Sequence, residues 1–204
     1  MYIPPKYKIT DINEVRNFIQ VNSFGILVNV LDHKPWATHI PLELEVNADG
    51  EDVLLGHISK GNPQWQAFTE NPQVMAIFSA PHAYISSSWY NHENVPTWNY
   101  IAVHVYGQLR VIEGEELYQS LLKLINKYEA ASENPVRLEA MTPTYVAREM
   151  RGIVGFEIKI TEIHAAKKLS QNRDEENFQN IITELEKRNE AYDKVIAEAM
   201  KNIK

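Results

Sequence analysis

NYIAVHVYGQLRVIE, residues 99 to 113, is a run in which β-branched and aromatic side chains recur without a helical spacing, and it reads as a strand. Four β-rich runs precede it: SFGILVNVL (23 to 31), WATHIPLELEV (36 to 46), DVLLGHIS (52 to 59) and QVMAIFSA (73 to 80). A sixth, IVGFEIKITEIHA, occupies 153 to 165. The links between the early runs carry turn chemistry, from Asp32 to Pro35 and from Asn47 to Gly50 with its Asp-Gly pair. That order predicts an antiparallel meander. A sheet of this size closes into a small barrel to remove its exposed edges, so the expected fold class is α+β, a β-barrel with peripheral helices.

The helices are placed by their own signals. Asp11 and Glu14 resemble a capping box ahead of Ile12, Val15, Phe18 and Ile19. In GNPQWQAF, Asn62 is a candidate N-cap and Pro63 sits at the first helical position, which predicts a short helix directly after a strand. Leu117, Leu121, Leu124, Ile125 and Tyr128 mark a helix from Glu115 to Glu129, and Thr142-Pro143 opens another that stops near Gly152. From Asp174 onward Phe178, Ile181, Ile182, Leu185, Tyr192, Val195, Ile196 and Ala199 form one apolar stripe. The expected organisation is a barrel domain over residues 1 to 173 with an amphipathic C-terminal helix, 174 to 204, packed on the barrel or on a dimer.

Composition narrows the classes of function. With 204 residues and 44% hydrophobic side chains the chain can bury a core of its own. It has no cysteine, which excludes disulfides, thiolate metal sites and thiol nucleophiles, and fits a cytoplasmic location. No signal peptide or membrane-spanning stretch is expected. A net charge of −7 repels nucleic acid, and the scattered lysines and arginines form no DNA-binding arm, so direct DNA binding is not supported. Seven histidines occur without HExxH or other metal spacing, and no GxGxxG, Walker A or GxSxG motif appears. No metal site and no catalytic residue are therefore assigned.

Four segments place polar and aromatic residues where a plain barrel does not need them. GHISKGNP (56 to 63) gathers His57, Ser59, Lys60 and the capping Asn62, which suits a phosphate, although an ordinary strand-to-helix turn with an exposed lysine uses the same residues. HAYISSSWY (82 to 90) and VPTWNY (95 to 100) supply Tyr84, Trp89, Tyr90, Trp98 and Tyr100, either as walls for a flat heteroaromatic ligand or as sheet packing. KKLSQNR (167 to 173) is a cationic strip in which Ser170 or Asn172 also fits as a helix cap.

MYIPPKY, THIPLEL, GHISKGNPQW, PHAYISSSWY, VPTWNYIAVHVYGQLRVI, RGIVGFEI and KLSQNR, read in order from residue 1 to about 185, resemble the PaiB family. These are bacterial proteins of the FMN-binding split-barrel class, described as negative transcriptional regulators of protease synthesis and sporulation. The resemblance implies FMN as cofactor and a homodimer with the flavin between subunits. It implies that Thr38 and His39, with Ile40 and Pro41, run beside the ring, and that His57, Ser59, Lys60 and Asn62 face the phosphate and ribityl chain. Trp89, Thr97, Trp98 and Asn99, with Lys168, Ser170, Gln171, Asn172 and Arg173, would close the site, some from the partner chain. Two departures stand out: AAKKLSQNR where the family has a pattern like GKWKLSQNR, and SSSWY where it has SPSWY. They predict a looser edge and weaker flavin retention than in relatives. Any transcriptional effect is then expected to be indirect. Split barrels also host flavin oxidoreductases and HugZ-type haem-degrading enzymes, for which His39 and His57 are the candidate bases, so the fold alone does not separate regulator from enzyme.

Overall fold

The run expected as one strand from 36 to 46 is two strands, and that break organises the sheet. β1 (Phe24–Leu31) pairs antiparallel with β2 (Lys34–Pro41), whereas β3 (Glu43–Val46) pairs with β4 (Asp52–Ser59). Between β2 and β3 stands Leu42 alone, fully buried, its N–H donating to the Ser23 carbonyl at 2.8 Å. That bond carries the β1 pairing one residue past Pro41, after which Glu43 pairs with Leu55 of β4 instead.

The computed structural model describes residues 1 to 203. β5 (Gln73–Ile85), β6 (Thr97–Ile112) and β7 (Ile153–Lys168) complete a seven-stranded sheet in the order β2-β1-β5-β6-β7-β4-β3. Its terminal strands β2 and β3 are joined through one residue, so the strands of this region must curl round toward one another, as barrel formation requires. α1 (Ile12–Val21), α2 (Gly114–Glu129) and α3 (Pro143–Met150) match the expected helices. In α1 the Asp11 carboxylate accepts from the Asn13 N–H at 2.8 Å, and Glu14 pairs with Lys167 at 2.5 Å, where a capping box would turn it back to residue 11.

The tail is not one helix. α4 (Glu175–Arg188) and α5 (Ala191–Lys201) meet at Asn189, whose φ of 58° is the left-handed geometry that ends a helix. Asp174 caps α4 by accepting from the Asn177 N–H at 3.0 Å. Arg188 braces the elbow, 2.8 Å from the buried Asp193 carboxylate and 3.0 Å from the Tyr84 carbonyl. The break rotates Tyr192 and Val195 out of the expected stripe, leaving them 56% and 49% exposed.

Two compact units divide the chain. One comprises residues 1 to 18, 78 to 104 and 164 onward; the other comprises 19 to 77 and 105 to 163. In the first, Phe178, Ile181, Ile182 and Leu185 of α4 and Ile196 and Met200 of α5 pack with Ala83, Ile85, Tyr90 and Leu169. Each large apolar side chain buried this way contributes about 1.5–3 kcal/mol. Buried Asn177 ties α4 to the loop after Tyr90, accepting from the Asn91 N–H at 3.0 Å and donating to the Asn91 side chain at 2.9 Å.

In the second unit Gly56 stands opposite Phe156 in the β4–β7 ladder, and a methyl group there would lie 2.7 Å from the Phe156 ring. Gly56 therefore leaves room for that ring, which packs edge-on against Phe68 at 5.6 Å. Gly107 of β6 is tighter still, because a Cβ would sit 2.5 Å from the Lys159 carbonyl oxygen and 2.5 Å from Ile158 Cγ2. Backbone cannot rotate away as a side chain can. Gly107→Ala is expected to destabilise the protein by about 1–3 kcal/mol, read as a lower urea midpoint. An unchanged midpoint would mean that β6 and β7 can separate without cost.

Candidate functional site

The second unit holds Thr38, His39, His57, Ser59, Lys60 and Asn62. Asn62 is the expected N-cap, its side-chain oxygen accepting from the Gln64 N–H at 3.1 Å. The element it caps is a five-residue 3-10 turn, Pro63–Ala67, in place of the expected helix, so no developed helix dipole stands at this point. Any anion here is held by side chains and individual N–H groups.

Thr38 and Asn62 are brought together. The Asn62 amide donates to Thr38 Oγ1 at 2.8 Å, and that hydroxyl donates to Gln64 Oε1 at 2.5 Å. Gln64 is wholly buried; its amide donates to the Leu27 carbonyl at 3.2 Å, and its own carbonyl accepts from Asn29 at 3.3 Å. Asn29 Oδ1 is buried with no protein partner. A buried amide oxygen left this way wants a donor, from water or from a ligand. Sequence reasoning misses Gln64 and Asn29, because nothing in a local pattern says that one amide among several becomes the buried anchor of two others.

The remaining members of this group diverge. His39 is exposed on β2. His57 is half-buried and lines a small cleft of about 60 Å³ with Glu43, Leu55 and, from α2, Ser120 and Lys127. Burial holds its pKa below the ordinary histidine value. Ser59 Oγ accepts from the Gly61 N–H at 3.2 Å. Lys60 is exposed and lines a different and much larger cleft, about 890 Å³, whose walls include Trp65, Glu113, Arg151 and Val154.

The first unit holds Trp89, Thr97, Trp98, Asn99, Lys168, Ser170, Gln171, Asn172 and Arg173, and most of them interlock. Lys168 donates to the Thr97 hydroxyl. Ser170, at φ 58°, donates to the buried Asn99 at 3.0 Å, and Asn99 reaches Met200 Sδ at 3.4 Å. Gln171 accepts from the Leu169 N–H at 2.8 Å and donates to the Lys167 carbonyl at 2.7 Å, while Asn172 accepts from Tyr7 at 3.2 Å. Arg173 stacks over the Tyr90 ring at 4.9 Å. Lys168 is held below the ordinary lysine pKa, first by burial and then by the charges of Arg173 and Lys6. Lys6 thus joins Lys167, Lys168 and Arg173 as a fourth cation near this strip, unmarked by any sequence spacing.

The aromatic residues separate into two kinds. Trp89 and Tyr90 pack against the core built by α4 and α5, and Arg188 covers the Trp89 ring at 5.6 Å. Trp98 is 51% exposed, with His82 at 5.4 Å and Tyr84 at 5.7 Å in tilted and edge-on arrangements. His82 in turn meets Tyr192 edge-on at 5.9 Å. This exposed cluster can offer ring faces to a planar group or to another protein surface.

Residues 1–162 match the family described as "Putative FMN-binding domain", and the chain belongs to that family. It is 46% identical over 202 residues to the protease synthase and sporulation protein PAI 2 of Bacillus subtilis, covering 99% of this chain and 97% of that protein. Among solved structures it resembles the FAD and heme binding protein of Mycobacterium smegmatis, with a TM-score of 0.61, 17% identity and coverage of 79% and 73%. It also resembles the flavocytochrome Anf3 of Azotobacter vinelandii, with a TM-score of 0.62, 16% identity and coverage of 87% and 78%. These two likenesses bear out the antiparallel split-barrel fold. No helix among the described residues is long and apolar enough to cross a membrane.

The state of His57 has a measurable consequence. Its folded pKa is depressed, so below about pH 6.5 the unfolded chain binds the proton more readily than the folded one. Stability contributed by neutral His57 is therefore present above that pH and is lost as pH falls below it. His57→Gln is expected to flatten the fall in urea-unfolding free energy between about pH 6.5 and 5. A slope identical to wild type would assign the acid sensitivity elsewhere, with His104, also depressed by burial, as the next group to test.

Proposed function

We propose that this member of the FMN-binding domain family binds FMN as a homodimer and acts as a regulator in the control of protease synthesis and sporulation. The observation that carries the reading is the family match over residues 1–162, joined to near full-length similarity to the Bacillus subtilis protein named for that process. The residues fit the cofactor. Lys60 and Ser59 at the end of β4 suit a phosphate, and the Thr38–Asn62 pair suits ribityl hydroxyls. When bound, FMN supplies a group that accepts and returns electrons. The protein's part is to bind it, orient it and present its redox state to a partner surface.

Homodimer formation has support in the first unit, where Trp98, Tyr84, Tyr192 and Val95 leave apolar surface exposed. A second copy that covers Trp98 would bring the interlocked Thr97, Asn99, Lys168 and Ser170 group to a ligand as a rigid edge. Lys167 forms an ion pair with Glu14, so that edge is tied to α1. The acidic net charge of −7 favours regulation through a protein partner over direct contact with DNA.

Lys60→Ala is expected to weaken FMN binding by about 1.5–3 kcal/mol, ten- to a hundredfold, as followed by flavin fluorescence titration. Riboflavin, which lacks the phosphate, is expected to lose little. Equal FMN affinity in wild type and Lys60→Ala would remove this lysine from the phosphate site.

A further inference from the structure

β4 and β7 run antiparallel, and their register places Ser59 opposite Ile153. One step beyond that pair the Lys60 N–H donates to the Gly152 carbonyl at 2.8 Å. The ladder thus ends with Lys60 leaving one strand where Gly152 and Arg151 enter the other. The two cations approach from opposite chain directions. Both side chains are exposed, and both line the same cleft of about 890 Å³. Trp65, on the wall of that cleft, donates from its indole N–H to the Lys60 carbonyl at 2.9 Å and so fixes the backbone from which Lys60 projects.

The charge on the opposite wall is largely cancelled. Glu116 lines the cleft, but Arg110 takes both of its oxygens, at 2.8 and 3.0 Å, and donates to Glu157 as well at 2.8 Å. Glu113 is the other carboxylate there, at the head of α2, where its side chain makes no capping bond. Neither Lys60 nor Arg151 is engaged by a carboxylate among the described residues. An ammonium and a guanidinium facing one cleft suit a doubly charged oxyanion, since the planar fork of arginine binds two oxygens while lysine supplies a compact charge.

We propose that Arg151 is a phosphate-binding residue, and that with Lys60 it holds a phosphomonoester dianion in this cleft, namely the terminal phosphate of FMN. The proposal rests on the flavin reading for the identity of the ester; the anion site itself rests on the two cations and the cleft. Glu113 opposes the bound anion and sets an upper limit on its affinity.

The test uses the full-length flavin-free protein, with Arg151→Gln, Arg151→Lys and Glu113→Gln variants, all at exposed positions. Inorganic phosphate is the first probe, followed by ³¹P line broadening at fixed ionic strength. FMN and riboflavin are the second and third probes, followed by fluorescence. Arg151→Gln is expected to weaken both phosphate and FMN about tenfold or more and to leave riboflavin unchanged, with Arg151→Lys recovering part of the loss. Glu113→Gln is expected to tighten both anions severalfold. Equal phosphate affinity in wild type and Arg151→Gln overturns the anion site, whatever flavin does. Arg151-dependent phosphate binding in a protein that does not distinguish FMN from riboflavin would uphold the anion site and overturn the flavin assignment alone.

Discussion

The antiparallel ladder between β4 and β7 is the constraint on which the second unit depends. It pairs Val53 with Lys159 at one end and Ser59 with Ile153 at the other, and its register sets what meets what along the way. It sets Gly56 opposite Phe156, where a Cβ would lie 2.7 Å from the aromatic ring, and a slip of one residue would turn every side chain of the strand to the other face. The same register delivers Lys60 beside Gly152. Packing of the core and placement of a surface cation are thus consequences of a single alignment. Because backbone hydrogen bonds fix it, the cation is positioned by a rigid element even though its side chain is free to move.

The first unit solves a different problem. Its polar strip, Thr97, Asn99, Lys168 and Ser170, is bonded within itself and anchored beneath by Met200 of the C-terminal helix pair. Such a strip arrives pre-organised, so little side-chain entropy is lost when it meets a ligand. The tail therefore does more than cover a face: α4 and α5 carry the buried residues that hold the strip in shape. The positive φ of Ser170 fits that account, since the backbone turns sharply there to aim its hydroxyl at Asn99.

Much of this was legible in the sequence. The Asn62-Pro63 start and the Asn47–Gly50 turn arise from local chemistry that tertiary contacts did not override, whereas the expected meander gives way to non-sequential pairing, β1 with β5 and β4 with β7, which closing the sheet requires and no local signal encodes. The misread joints have physical causes. From Ile40 through Leu44 the apolar alternation continues without a break, so periodicity carried one strand across Leu42, and nothing in it marks the change of partner from β1 to β4. The tail stripe likewise hid its elbow, although Lys187, Arg188 and Asn189 together form a helix-ending signal. Lys6, Gln64 and Arg151 lie within segments that carry the family resemblance, yet neither they nor Asn29 are marked there as site residues. Their importance comes from burial or from a neighbour far along the chain, and neither is written in a spacing.

The proposed flavin site holds FMN through its phosphate as well as its ring. The most direct measurement is a titration of the freshly purified, flavin-free protein with FMN, followed in visible absorption and in parallel by sedimentation. Saturation at one FMN per chain on a dimer, with a shifted and structured flavin band, is the expected result. A folded protein whose flavin spectrum stays that of free FMN throughout the titration would contradict it.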